Sequence, residues 1–141
     1  MSGALLGLDL GEKRIGVAFV QAGTTIAFSA ETIEVRGREQ VVAQIQKLIL
    51  QYKAEKVVVG LPKTLKNEMG IAAQKRVQEV AWYQSRISVP MVMWDERLSS
   101  KEVERMLIDA DVRREKRKEV IDKLAAQRIL QNYLDSAIAN S

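Results

Sequence analysis

The sequence predicts an α/β fold, a mixed five-stranded sheet with helices on both faces. Three observations carry this. Two apolar runs, residues 4–10 and 14–20, are separated by a short turn containing Gly11, as in a pair of adjacent strands. Val57-Val58-Val59 is an unbroken β-branched run, the pattern of a strand buried on both faces between layers of helix. From residue 38 onward helical and strand periodicities alternate, which calls for strands linked through helices.

Taken in order, Leu5, Leu6 and Leu8 with Ile15, Val17, Ala18 and Val20 predict the hairpin-like pair, and Gly11 supplies backbone freedom for its turn. Residues 24–35 carry β-branched residues in partial alternation, as an outer strand does, and Gly37 ends the run. Val41, Val42, Ile45, Leu48, Ile49 and Tyr52 recur at three- and four-residue intervals and predict a helix over 38–53. Residues 56–61 form the next strand, closed by Pro62, and 63–68 a basic loop. Residues 69–87 read as a helix with Ala72, Ala73, Val77, Val80 and Ala81 on one side. Residues 90–94 are a short strand. Ser99 with Glu102 has the form of a capping box and predicts a further helix start. Residues 111–118 are almost wholly charged, and a last helix follows over about 119–138. At 141 residues, with no linker or repeat, the expectation is a single domain over 1–141.

Composition restricts the chemistry. The chain has no cysteine and no histidine. That excludes thiolate sites, histidine bases and histidine-ligated zinc, leaving carboxylates, Lys, Tyr and hydroxyls, with a hard metal as partner. There is no signal-peptide pattern and no apolar run approaching about 18 residues, so no membrane partner is expected and the location expected is cytoplasmic. A net charge of +4 favours a polyanionic partner.

Four acidic positions bear on function. Asp9 ends the first strand inside a strongly apolar stretch, where a carboxylate is costly to bury unless hydrogen-bonded, paired or metal-bound. Asp95 and Glu96 end the last strand, and Asp122 lies near the start of the final helix. If the first and last strands run parallel, their carboxyl ends share one edge, the edge at which open α/β sheets bind ligands. Ala125, Ala126 and Ile129 lie on the same helical side as Asp122, and two alanines permit close approach to the sheet. Clustered carboxylates without His or Cys suit Mg²⁺ or Mn²⁺, and such ions support phosphodiester hydrolysis. Each acid also has a structural reading. Asp9 can hydrogen-bond turn amides, Asp95 and Glu96 can be a solvated strand end beside Arg97, and Asp122 can favour the helix dipole. Strand alternation allows at most one of Asp95 and Glu96 to face the site.

The basic residues are placed to complement such a site. Five of the six residues 113–118 are Lys or Arg: Arg113, Arg114, Lys116, Arg117 and Lys118. A charge run is ordinarily just solvated surface, yet this one directly precedes the helix carrying Asp122. Lys13, Arg14, Lys63, Lys66 and Arg97 are assigned to the same edge as phosphate contacts. Trp82 and Trp94 read as core or partly exposed packing.

Four stretches together resemble one family. They are Gly7-Leu8-Asp9-Leu10-Gly11-Glu12-Lys13-Arg14-Ile15-Gly16-Val17-Ala18, then Val58-Val59-Gly60-Leu61-Pro62, then Asp95-Glu96-Arg97-Leu98-Ser99-Ser100, then the run from Ile121-Asp122 to Leu130-Gln131. In this order they resemble the YqgF family, also called RuvX. The resemblance implies an RNase H-like fold similar to the Holliday junction resolvases. It also implies a nuclease that matures the 5′ end of pre-16S ribosomal RNA, with branched DNA as the other substrate proposed for the family. On that resemblance Asp9, Glu96 and Asp122 are the carboxylate set that holds metal. One departure stands out. The resolvases carry their second acid at the end of the fourth strand, and here that strand ends Val59-Gly60-Leu61. The role passes to Asp95 or Glu96, with Glu96 preferred for its reach. The competing expectations are a nucleotide-binding module, since Asp9-Leu10-Gly11 also resembles the phosphate loop of sugar kinases, and a non-catalytic RNA-binding assembly factor. The oligomeric state expected is a monomer or weak homodimer.

Overall fold

The computed structural model describes residues 3–61, 71–95 and 124–135. Its elements in chain order are β1 (Ala4–Leu10), β2 (Arg14–Val20), β3 (Phe28–Glu34), α1 (Arg38–Tyr52), β4 (Ala54–Leu61), α2 (Ile71–Gln84) and β5 (Met91–Asp95). A further helix, α3, spans residues 124–135. The sheet order is β3-β2-β1-β4-β5. β1 pairs antiparallel with β2 and parallel with β4, β2 pairs antiparallel with β3, and β4 pairs parallel with β5. This is the mixed five-stranded sheet expected from the sequence.

Strand alternation sorts the apolar residues into two layers. Leu6, Leu8, Leu10, Val57 and Val59 face α1 and α2, packing with Val41, Ile45, Leu48, Ile49, Val80 and Tyr83. Leu5, Val20 and Val58 face the other way and pack with Ala126, Ile129, Leu130 and Leu134 of α3. The three valines are therefore buried on both sides, each contributing on the order of 1.5–3 kcal/mol of transfer free energy.

Three expectations change in detail. The outer strand begins at Phe28 and not at residue 24. Gly23 turns the chain at φ 82°. The backbone after it is taken up by side chains of α3: Gln131 Nε2 donates to the Thr25 carbonyl (2.9 Å), the Ala27 amide donates to Gln131 Oε1 (2.8 Å), and Gln127 Nε2 donates to the Ala27 carbonyl (3.0 Å). Glutamine amides replace a strand partner there. On α2, Ala81 is exposed, and the buried positions are Val80, Tyr83 and then Ile87 just beyond the helix. Gly11 has no left-handed φ. A Cβ there would stand 2.5 Å from the Arg14 carbonyl oxygen, so the turn needs glycine for backbone approach and not for dihedral freedom.

The connection from α1 to β4 is a single residue, Lys53, held left-handed at φ 56° and ψ 43°, with its amide donating to the Ile49 carbonyl. A side chain there costs roughly 1 kcal/mol relative to glycine. A Lys53→Gly variant is expected to gain about 0.5–1 kcal/mol, allowing for the freer unfolded chain, read as a higher urea midpoint at unchanged slope. A lower midpoint would mean that the lysine stem contributes more packing than its backbone geometry costs.

The helix expected from Ser99 and the loops 63–68 and 111–118 lie outside the described residues. No helix among the described residues is long and apolar enough to cross a membrane.

Candidate functional site

Because β1, β4 and β5 run parallel, their carboxyl ends share one edge, and Leu61 pairs directly with Asp95 there. Asp9 is the penultimate residue of β1. Its neighbours Leu8 and Leu10 belong to the α1/α2 layer. Alternation therefore turns Asp9 to the α3 side, with Leu5 and Gly7.

The surroundings of Asp9 on that side are unusually open for a sheet. Its antiparallel partner on β2 is Gly16. On β4 the register runs Gly7↔Val58 and Leu8↔Val59, which brings Asp9 level with Gly60. Gly60 in turn pairs with Trp94 on β5. Asp9 is thus flanked across both strand pairings by residues without a side chain. It is partly exposed, while the residues on either side of it are buried. A carboxylate so placed keeps access to solvent and to a ligand without breaching the apolar layer.

Helix α3 closes on β1 one pleat before Asp9. A Cβ on Gly7 would lie 2.8 Å from Leu130 Cβ and 3.1 Å from the Ala126 carbonyl oxygen. Gly7 is therefore the notch that lets the helix seat on the sheet. The sequence signal was a glycine between leucines in a buried strand, and the sequence reading passed over it. Farther along the helix, Tyr133 packs edge-on against Trp94 at 5.5 Å, and Lys56 Nζ donates to the Tyr133 hydroxyl at 3.1 Å. Trp94 thus faces α3, as Asp9 does. This packing agrees with the partly exposed role expected of Trp94.

Lys13 is exposed and Arg14 partly exposed at the β1–β2 turn, beside the carboxyl end of β1. The Val35 amide donates to the Lys13 carbonyl at 2.9 Å and ties the turn to the end of β3. Glu96, Asp122, Lys63, Lys66, Arg97, Arg113, Arg114, Lys116, Arg117 and Lys118 lie outside the described residues. Among the described residues no three carboxylates come together as a metal-binding group.

The sequence reading also missed a groove of about 640 Å³ lined in part by Gly11, Glu12, Arg38, Lys75, Arg76 and Trp82. It opens at the same turn, between α1 and α2. Tyr83 lines it as well. Burial, reinforced by the Glu79 carboxylate, raises its phenol above the usual value, so the hydroxyl stays protonated through the neutral range.

Comparison with known proteins covers nearly the whole chain. The family model described as "RuvX: Holliday junction resolvase" matches residues 3–136. A protein of Listeria monocytogenes serotype 4b (strain CLIP80459), named "Putative pre-16S rRNA nuclease", is 48% identical over 134 residues, covering 94% of this chain and 97% of the relative. A protein of the same name from Thermoanaerobacter pseudethanolicus is 44% identical over 133 residues, covering 94% and 96%. Among solved structures, Thermus thermophilus RuvC aligns with a TM-score of 0.57 at 14% identity, over 96% of each chain. A fowlpox virus resolvase solved with Holliday junction DNA aligns at 0.57 and 10% identity, over 95% of this chain and 98% of that one. At such identities the likeness concerns the fold, which is the RNase H-like fold of these resolvases.

Proposed function

The chain belongs to the RuvX family, and from that membership and the geometry of the carboxyl edge we propose that it is a metal-dependent endonuclease that processes the 5′ end of pre-16S ribosomal RNA. The observation that carries this reading is Asp9, an acid at the end of a central strand, turned to α3 and flanked by Gly16 and Gly60. The Listeria and Thermoanaerobacter relatives bear the name of that RNA nuclease.

Glu96 is the second carboxylate of the proposal. Trp94 packs against α3, and period-two alternation from Trp94 favours residue 96, not Asp95, for the Asp9 side. Asp122 is the third. It lies four residues before Ala126 in the sequence, and the Ala126 carbonyl abuts the Gly7 notch. The donor chemistry fits a hard divalent cation: three carboxylates, no sulfur and no imidazole. Asp9, Glu96 and Asp122 would hold Mg²⁺ or Mn²⁺, which supplies an activated water and neutralises charge on the departing oxygen. Gly16 and Gly60 leave room for the phosphodiester beside Asp9. Lys13 and Arg14, with Lys63, Lys66, Arg97 and the 113–118 run, hold phosphates and orient the scissile bond. Water adds to phosphorus, one phosphorus–oxygen bond breaks, and the released oxygen takes a proton.

The test is incubation of the purified full chain with a 16S precursor fragment carrying its 5′ extension. With Mg²⁺, cleavage at the mature end is expected; with excess EDTA, none. A four-way DNA junction is run in parallel, because the family description names a junction resolvase. Cleavage of the junction alone would overturn the RNA assignment. Cleavage of neither would overturn the nuclease.

A further inference from the structure

The groove between α1 and α2 is lined by groups that the catalytic edge does not use. It starts at Gly11 and Glu12, two residues past Asp9, and continues past Lys75 and Arg76 to Arg38 and Trp82. Arg38 and Trp82 also line a second hollow that reaches Arg36 and Gly37, so the concavity extends away from the edge as a track. Four cations follow one another along it: Lys75, Arg76, Arg38 and Arg36.

Arg36 pairs with Glu34 at 3.4 Å; the other three are set for an anion. The Arg76 side chain is only 17% exposed, and one arm pairs with Glu79 at 3.5 Å. Its Nε is buried with no hydrogen-bond partner among the described residues. A buried guanidinium N–H without an acceptor is costly, and a turn of Arg76 toward the groove to meet a phosphate oxygen would relieve it. Arg38 has no carboxylate partner among the described residues; its guanidinium lies 5.5 Å from the Trp82 ring centre. Arg86 stacks on Trp82 at 3.9 Å, and its position is fixed by donation to the Trp82 carbonyl at 3.0 Å. Trp82 therefore orders two guanidinium groups beside the track. Glu12, Glu39 and Glu79 line the same hollows. They lower the net charge, so affinity rests on placed contacts and not on a diffuse basic field.

We propose that this groove binds a single-stranded RNA segment, the stretch of substrate that continues beyond the cleaved bond. This rests on the nuclease reading given above. A strand leaving the phosphodiester at Asp9 on the α3 side crosses the sheet edge at the β1–β2 turn, where the groove opens on the α1/α2 side. Its phosphates meet Lys75, Arg76 and Arg38 in turn, and the Arg86 plane on Trp82 offers a surface for a base.

The test reads binding without cleavage. Fluorescence anisotropy is measured for a labelled single-stranded RNA of about 12 nucleotides in EDTA across a salt series. Three full-length proteins are compared: wild type, Arg38→Gln/Lys75→Gln, and a charge-matched control, Lys47→Gln/Lys53→Gln, at the other end of α1. The groove variant is expected to bind about tenfold more weakly, with the slope of log affinity against log salt reduced by about 1.4, near 0.7 for each lost phosphate contact. The control is expected to match wild type. Equal losses in both variants, or none in the groove variant, would overturn the proposal, as would equal affinity of wild type for an oligoglutamate peptide. Metal-dependent cleavage of the precursor fragment by the groove variant, with its RNA binding unchanged, would leave the nuclease reading standing and remove the groove alone.

Discussion

An Asp9→Asn variant of the full chain is expected to lose metal-dependent cleavage by at least about a thousandfold, since each tenfold corresponds to about 1.4 kcal/mol of barrier. The substitution keeps the shape of the side chain and removes the charge that a divalent ion requires. Asp9 is partly exposed at a strand end, between Gly16 and Gly60, and the isosteric amide keeps its shape and its capacity to accept a hydrogen bond. The melting temperature is accordingly expected to stay within about 3 °C of wild type, a change of about 1 kcal/mol or less. Single-turnover cleavage of the precursor fragment, with circular dichroism melting of the same preparations, checks both. Full activity in this variant would sink the carboxylate mechanism. Lost activity together with a collapsed melting temperature would instead assign Asp9 a structural role in the turn.

The second large effect falls on a residue that touches no substrate. Replacing Gly7 with alanine puts a methyl group 2.8 Å from Leu130 Cβ and 3.1 Å from the Ala126 carbonyl oxygen. Neither atom is the end of a flexible side chain, so α3 has to lift from β1. Overpacking of this kind costs about 1–3 kcal/mol, or several degrees of melting temperature in a chain of this size. Under the proposed mechanism it has a second consequence. Asp122 is carried on the segment leading into α3, so lifting the helix separates it from Asp9. Cleavage by Gly7→Ala is expected to fall about tenfold or more at temperatures well below its melting point, where the protein is still folded. Unchanged activity with lowered stability would mean that the third carboxylate is not positioned by this contact.

The two predictions divide along what a linear sequence contains. Asp9 was legible because its chemistry clashes with its neighbours: one acid in an apolar strand needs a reason. The hairpin, α1 and the doubly buried valines were legible because each is written in local periodicity. Val41, Ile45, Leu48 and Ile49 all turn inward at the spacing read from sequence. The start of β3 was misread because β-branched Thr24, Thr25 and Ile26 look like strand. The Thr24 amide instead donates to the Gln21 carbonyl, and the Thr25 carbonyl and both backbone groups of Ala27 bond Gln127 and Gln131, about a hundred residues later. Ala81 was misplaced for a related reason. A helix with alanines on several sides does not by itself say which of them meets the sheet, and Val80 and Tyr83 took that place.

The groove between α1 and α2 lies wholly beyond local reading. Arg38 on α1, Lys75 and Arg76 on α2 and Arg86 just beyond it are ordinary cations along the chain. Only the packing of α1 beside α2 brings them around Trp82.

By itself the sequence determined the element types, the mixed sheet, the absence of thiol and imidazole chemistry, and an acid at the end of the first strand. These follow from composition and from periods of 2 and about 3.6 residues, which any local stretch carries. The tertiary structure decided which face Asp9 shares with Trp94, how closely α3 seats on Gly7, and where the cations of two helices converge. Those are contacts between residues far apart in the chain. They are set by shape and burial across layers, and no local pattern encodes them.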